Sequence, residues 1–292
     1  MKLGIGLPTW MGNEVAASDV LDWARAAEDA GFEALAVHDK PNHDTWEPLA
    51  ALAVVAPVTS RVRLFTGALL LPTRNEALVA KQAAVIDQVS GGRLDLGVAL
   101  GGRPDDFELM GRPMGGRGRT FERQIERLIE LWSESVDHAE SGKASGPAPF
   151  QRPHPRLWIG GYKPAAIERA VRWADGFIFG APGFAMMADK IPNVRAAAAA
   201  AGRSDLPVAA LAYVLPSEDP AELAEGEALI GRYYVPLHKP FAELVHSGSG
   251  EQVLEAVKRY ETAGVDLLHL IPVMRSVTAI ERLARDVLPA FA

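Results

Sequence analysis

The stretch Leu78-Val79-Ala80-Lys81-Gln82-Ala83-Ala84-Val85-Ile86-Asp87-Gln88-Val89-Ser90-Gly91-Gly92-Arg93-Leu94-Asp95-Leu96-Gly97-Val98 carries a helix into a strand. The helix ends at Ser90, Gly91-Gly92 make a tight turn, and the strand opens at Arg93. Glycines suit such a turn because they accept φ > 0 without a Cβ clash. The same alternation recurs outward in both directions. Short apolar runs lie at residues 3–7, 34–37, 62–71, 94–100, 157–159, 176–179, 208–215 and 267–271. They lack polar alternation, as parallel strands covered on both faces do. Helical spacing fills residues 20–30, 47–59, 76–90, 119–133, 165–174, 185–201, 252–263 and 277–288. In the first of these, Leu21, Ala24, Ala27 and Ala30 share a face. Ser18 or Asp19 is expected to cap its start, and Gly31 stands where a helix end favours φ > 0. Pro164 precedes the fifth helix core, a position that tolerates a missing N–H.

Eight strand–helix pairs in chain order are what a (β/α)8 TIM barrel requires. An open doubly wound sheet shows the same alternation. The count of eight, and the lack of a Pro/Gly-rich linker cutting the chain in two, favour an α/β barrel as a single domain over residues 1–292. Two connections are long: residues 101–118 after the fourth strand, and residues 216–250 after the seventh. The second contains Tyr233, Tyr234, His238, Lys239 and His246. Both are expected to be extended lid or binding loops, which lie at the C-terminal face of a barrel. Residues 142–155, rich in Pro and Gly, are expected to wrap the surface.

The formal charge is −7, from 30 Lys plus Arg against 37 Asp plus Glu, and there is no basic block. That balance argues against nucleic acid as a partner. The absence of cysteine excludes a disulfide scaffold, thiolate metal sites and cysteine nucleophiles. No apolar run approaches the roughly 18 residues of a membrane span. Met1 to Leu7 enter the first strand without a secretory leader pattern. The expectation is a cytoplasmic protein acting on a small molecule, with no membrane partner.

Two further segments go beyond generic alternation. Trp158-Ile159-Gly160-Gly161-Tyr162-Lys163-Pro164-Ala165-Ala166 joins a strand to a helix, and Arg172-Trp173-Ala174-Asp175-Gly176-Phe177-Ile178 closes a helix and opens a strand. With residues 78–98 they make the chain resemble the luciferase-like monooxygenase family, from Leu3-Gly4-Ile5 to Ala263-Gly264-Val265-Asp266. That family includes FMN-dependent monooxygenases and oxidoreductases that use an 8-hydroxy-5-deazaflavin, coenzyme F-420. The resemblance implies a TIM barrel with the flavin at its C-terminal face, and a homodimer is expected because dimers are common in the family.

Gly160, Gly161, Tyr162 and Lys163 end a strand just before a helix, where free N–H groups and the helix dipole favour an anion. The resemblance implies the flavin phosphate there, with Lys163 adding charge and Gly180 and Ala181 supplying a second contact. Gly67, Ala68 and Leu69 close the third strand. Family relatives often carry a cis peptide under the flavin ring, and alignment of positions puts it at Gly67–Ala68. His38, Asp39 and Lys40 follow the second strand and are expected in the active site: His38 as a group able to titrate near neutrality, Asp39 as a hydrogen-bond partner of the ring edge. Gly101, Gly102 and Arg103 follow the fourth strand and are expected to contact the cofactor; Arg117 and Arg119 read as surface charges. Trp10 and Met11 are expected to wall the substrate space, while Trp158 and Trp173 read as core. His38-Asp39 with His43-Asp44 can also be read as metal ligands. Other strand ends supply only Pro8-Thr9, leucines and Gly-Gly, so no metal is expected.

Deazaflavin dehydrogenases of this kind commonly have a histidine where this chain has Lys40 and a glutamate where it has Gly102. Those departures favour FMN over coenzyme F-420, and oxygenation of a small organic substrate over hydride transfer. No dinucleotide-binding glycine fingerprint follows the first strand, so reduction is expected from a separate flavin reductase or from transient nicotinamide binding at the flavin face. A flavin-binding barrel without turnover, and a metal-dependent barrel hydrolase, are the other classes the pattern admits.

Overall fold

Eight parallel strands close on themselves in a computed structural model, which describes residues 1–10, 15–137, 146–181, 183–234, 240–274 and 276–291. They are β1 (Lys2–Gly6), β2 (Ala34–Val37), β3 (Arg63–Thr66), β5 (Leu94–Ala99), β6 (Arg156–Gly160), β7 (Gly176–Phe179), β8 (Val208–Leu215) and β10 (Leu267–Pro272). Closure is explicit in the register. β10 pairs with β1 (Leu3 opposite Leu268) and with β8 (Leu268 opposite Ala210), so no open edge remains between first and last strand. That pairing excludes the open doubly wound sheet. Two short strands extend the barrel at its C-terminal rim. β4 (Leu69–Leu70) resumes after β3 and pairs with β5, and β9 (Val245–Ser247) pairs with the end of β8.

The barrel interior is filled by rings set against glycines. Phe65 lies 5.2 Å from Trp158 and 4.5 Å from His269, ring centre to ring centre. A Cβ at Gly4 would fall 2.4 Å from His269 Nδ1, one at Gly176 2.3 Å from the Trp158 ring, and one at Gly97 2.0 Å from the Thr66 carbonyl oxygen. Glycine is therefore required at these positions by space rather than by backbone angle.

The helices are α1 (Ala17–Ala30), α2 (Pro48–Val55), α3 (Glu76–Val89), α4 (Pro104–Leu109), α5 (Arg117–Asp137), α6 (Pro164–Trp173), α7 (Phe184–Ala188), α8 (Ile191–Ala200), α9 (Pro220–Tyr233), α10 (Phe241–Leu244), α11 (Gly250–Thr262) and α12 (Thr278–Asp286). α1 starts three residues earlier than its apolar spacing suggests. Asp19 stabilises that start from inside the helix, accepting the Ala16 N–H at 3.1 Å. α3 is capped by Asn75, whose side chain accepts from Leu78 N. It ends at the expected place, with Gly91 and Gly92 at φ 67° and 85°.

Beyond that turn Arg93 is buried and spends its guanidinium on carbonyls of Ser90, Val62, Ala56 and Thr59. Buried Asp87 receives both the backbone and the side-chain N–H of Gln151, each at 2.7 Å, which staples the segment before β6 across the α3–β5 junction. Residues 185–201 form two helices, α7 and α8, rather than one. Lys190 precedes the second helix and Pro192 lies in its first turn, where its missing N–H has no intrahelical role.

The long connections are not plain loops. Residues 101–118 contain α4, and residues 216–250 contain α9, α10 and β9. α9 forms because Asp219 accepts the Ala221 N–H at 2.7 Å, Pro220 opens the helix, and Leu229, Ile230 and Tyr233 present a buried stripe. Trp158 lies in the core, whereas Trp173 is only partly covered and meets the Arg172 guanidinium 4.2 Å from its ring. Among the described residues no helix is long and apolar enough to cross a membrane.

Candidate active site

At the C-terminal rim, the turn after β6 lies against the turn after β7. Gly160 is buried; Gly161 has φ 151°, and a Cβ there would sit 2.7 Å from the Ala166 Cβ. The Gly161 N–H makes a long 3.4 Å bond to the Ile178 carbonyl. The N–H groups of Tyr162, Lys163 and Ala165, at the start of the ten-residue α6, have no acceptor among the described residues. Lys163 is exposed at the N-cap position, with no ion-pair partner among the described residues. The Tyr162 hydroxyl donates to the Gly180 carbonyl at 2.9 Å and ties the two turns together. Open amides at a helix start beside a free ammonium form a seat for an anion. The Gly180-Ala181 turn lies beside it.

After β2, His38, Asp39 and Lys40 diverge. Asp39 does not face open space. Its carboxylate accepts the Leu70 N–H at 2.7 Å and meets both terminal nitrogens of Arg74, at 2.7 and 2.9 Å. Burial raises its pKa, against the pull of Arg74 and the Leu70 N–H. Both carboxylate oxygens are engaged within the chain, and Asp39 braces β4. The Gly67–Ala68 peptide just ahead of β4 is cis, as expected. Gly67 faces the barrel axis, where an added Cβ would lie 3.1 Å from Leu211, and Leu69 is buried.

After β5, Gly101 has φ 72°, and a Cβ at Gly102 would meet nothing within 4 Å. Arg103 pairs with Asp105 at 2.6 Å, and its buried Nε makes no hydrogen bond, with Asp106 Oδ2 3.7 Å away. Arg117 is not a free surface charge. Its Nε donates to the Gly101 carbonyl at 3.2 Å and holds that turn.

Above β1, β2 and β8 sits an aromatic cluster. The Trp10 ring lies 5.5 Å from Tyr213 and 5.2 Å from Tyr233; His38 stacks on Tyr213 at 5.9 Å with planes 9° apart. The Tyr234 hydroxyl lies 2.9 Å from that of Tyr213. The Lys40 ammonium is 3.6 Å from the Tyr233 ring centre and 4.9 Å from that of Tyr234, and donates to the Tyr233 carbonyl. Burial pushes Lys40 down to about 7, with Arg103 acting in the same direction. Burial also pushes His38 down to about 4, helped by Lys40, so its imidazole is neutral at pH 7.

The rim thus brings together His38 and Lys40 from the turn after β2 and Trp10 from the turn after β1. His246 instead meets the Tyr260 hydroxyl at 2.8 Å. Met11, His238 and Lys239 lie outside the described residues. Sequence reasoning missed Arg74, Tyr213 and the bracing role of Arg117. Tyr213 is hidden inside an apolar strand, and only Arg74, just after Leu71-Pro72-Thr73, carries a local signal as a charge following a strand end. Among the described residues no group of three or more His, Asp or Glu is arranged to hold a metal ion.

A family model described as luciferase-like monooxygenase matches residues 1–246. An uncharacterised protein of Mycobacterium tuberculosis is 34% identical over 190 residues, covering 54% of this chain. The chain spans only 63% of the length of that relative. The oxygenase component of a flavin-dependent trigonelline monooxygenase from Acinetobacter baylyi is 24% identical over 299 residues, covering 84% of this chain and 81% of its own. Among solved structures, a monooxygenase from Streptomyces bottropensis superposes with a TM-score of 0.83 at 22% identity, over 100% of both chains. A coenzyme F-420-dependent tetrahydromethanopterin reductase from Methanopyrus kandleri superposes with a TM-score of 0.79 at 19% identity, again over 100% of both. At these identities the superpositions establish the fold.

Proposed function

The chain belongs to the luciferase-like monooxygenase family, and from that premise we propose that it is a flavin-dependent oxidoreductase that seats reduced FMN across the C-terminal rim and oxidises a small organic substrate. The observation that carries this reading is the pair of tied turns: open N–H groups at Tyr162, Lys163 and Ala165, with Tyr162 bonded to Gly180. A phosphate fits there. At Gly102 an added side chain would meet nothing within 4 Å, which leaves room for a flat ring; Gly101 and, from β4 paired with β5, the Gly67-Ala68-Leu69 segment would hold it. Bound reduced flavin supplies the electrons that activate molecular oxygen.

The chain's own residues do the rest. Lys163 and the α6 amides hold the phosphate. Asp39, through Leu70 and Arg74, and Arg117, through Gly101, hold the two strand ends that contact the ring. Trp10, Tyr213, Tyr233 and Tyr234 form an apolar wall that keeps water from the reacting face. His38, neutral at pH 7, and Lys40, pushed by burial down to about 7, are the groups placed to exchange a proton with substrate. Arg103, locked to Asp105, borders the ring site rather than entering it.

FMN is favoured over coenzyme F-420 because Lys40 and Gly102 stand where deazaflavin dehydrogenases of this kind place histidine and glutamate. The Acinetobacter baylyi relative is named as the oxygenase component of its monooxygenase, which supports a separate reductase partner here. The reading extends to a cytoplasmic homodimer: Leu78, Val85 and Val89 of α3 and Val54 of the neighbouring α2 are exposed by 44 to 56% on one side of the barrel. The test is titration of apo-protein with FMN and with the deazaflavin, followed by anaerobic reduction and admission of air. Tighter FMN binding and substrate-dependent oxygen consumption are expected. Failure of FMN to bind overturns the reading, and FMN binding with only uncoupled reoxidation leaves a flavin-binding barrel.

A further inference from the structure

The ammonium of Lys40 donates to the Tyr233 carbonyl and lies over two tyrosine rings, but among the described residues it has no counter-charge. It is 6% exposed, and no carboxylate among the described residues lies within ion-pair distance. The two nearest acids are engaged elsewhere. Asp105 binds Arg103 and the Asn42 side chain, and Asp106 accepts the Asn42 backbone N–H at 3.1 Å. They neutralise Arg103 and pin the turn after Lys40. Around the same Tyr233 ring, two more polar atoms are buried without a partner. These are His38 Nε2 and His43 Nδ1, with ring centres 6.3 and 5.4 Å from that of Tyr233. Unsatisfied buried polar groups cost free energy that a ligand can recover. The three converge on aromatic faces from Trp10, Tyr213 and Tyr233.

We propose that the substrate is a planar aromatic carboxylic acid, its carboxylate paired with Lys40 and an imidazole N–H of His38 or His43, its ring stacked in the Trp10–Tyr213–Tyr233 cluster. The assignment rests on the flavin reading above for its reaction, and on this cluster alone for its binding. A cationic substrate would be repelled by Lys40, and a neutral one would leave the ammonium with its carbonyl and aromatic partners but no anion. An anion with a flat apolar body matches both the ammonium and the aromatic rings. Burial holds Lys40 near 7. Arg103 faces it from the start of α4 and the two acids from its first turn, His43 from its own turn, and Tyr233 and Tyr234 from the end of α9. A carboxylate placed against it favours the charged form, so binding near pH 8 draws a proton from solution.

Calorimetric titration of the full chain with benzoate, phenylacetate and 2-naphthoate, beside their methyl esters, tests this in two buffers of different ionisation enthalpy. FMN is titrated into the same preparations. At least one acid is expected to bind, with proton uptake, and its ester about tenfold or more weaker. Lys40→Met and Lys40→Gln are each expected to weaken the acid by about tenfold and abolish the uptake, while FMN affinity stays within about twofold. FMN binding reports that each variant is folded. The proposal is overturned if FMN binds but no acid does, if ester and acid bind alike, or if both Lys40 variants keep the acid's affinity. Acid binding without FMN binding would overturn the flavin reading and leave this one standing.

Discussion

The carboxylate of Asp39 accepts the backbone N–H of Leu70 at 2.7 Å, so the end of β2 holds the strand that resumes past the Gly67–Ala68 peptide. Asp39 and Arg74 are 2% and 10% exposed as side chains, so the pair is a buried one. Asp39→Ala leaves the Leu70 N–H without its acceptor and Arg74 with only the half-exposed Glu47 carboxylate at 3.2 Å, and is expected to cost about 3 kcal/mol of stability, read from urea midpoints. Flavin affinity falls with it. Asp39→Asn keeps an acceptor for Leu70 and loses less. Equal stability of Asp39→Ala and the parent chain would remove the bracing role.

Two glycines at the rim should respond differently. Gly102→Leu meets open space, so stability is expected to stay within about 0.5 kcal/mol while FMN affinity drops about tenfold or more. Gly161→Val is strained by φ 151° and by Ala166, and is expected to lose both stability and FMN affinity. Flavin fluorescence quenching and thermal melts separate the two patterns.

His269 is fully buried with neither ring nitrogen bonded, and burial pushes it down to about 3. His38 titrates at about 4 for the same cause. In the window between those values and about 6.5 the unfolded chain binds more protons than the folded one. Stability is therefore expected to fall as pH drops through that window. His246, also pushed down to about 4 by burial, adds to the same effect, and His269→Leu removes one contribution among these. Its melting temperature is expected to decline less steeply between pH 6.5 and 4, and an unchanged slope would count against a neutral buried imidazole.

Lys40 acts at the other end of the pH scale. Its folded value of about 7 lies below the unfolded value, so stability without ligand is expected to rise with pH from about 7 towards 10. Lys40→Met should flatten that rise and be more stable than the parent near pH 6. Unfolding midpoints across the range provide the check.

The exposed apolar face of α2 and α3 leads to an assembly prediction. Leu78→Glu together with Val85→Glu places charge on that face without entering the core. A dimeric parent should become monomeric by light scattering, with the melting curve of the subunit little changed. Persistence of the dimer would move the interface elsewhere.

The barrel was readable before any coordinates because its signals are local. Helical spacing up to Val89, the Gly91-Gly92 turn and the apolar run from Leu94 are properties of neighbouring residues. Their repetition eight times sets the closure that β10 completes with β1 and β8. The same holds for Gly160-Gly161 ahead of Pro164, where a strand end, a helix start and open amides fall within a few positions. The helix in residues 216–250 was hidden by its length and by the turn residues on both sides, although Asp219-Pro220 is a local start signal.

Partner choice was not readable, because it depends on which surfaces the closed barrel brings together. Asp39 turned to Leu70 and Arg74, 31 and 35 residues away. Trp10 and His38 follow β1 and β2, Tyr213 lies in β8 and Tyr233 in α9, and nothing in their spacing places them in one cluster. Periodicity along the chain is enough to specify strands, helices and their order. Which buried charge is neutralised, and which is left waiting for a ligand, is decided only when burial strips the water away and the neighbours across the barrel mouth are known.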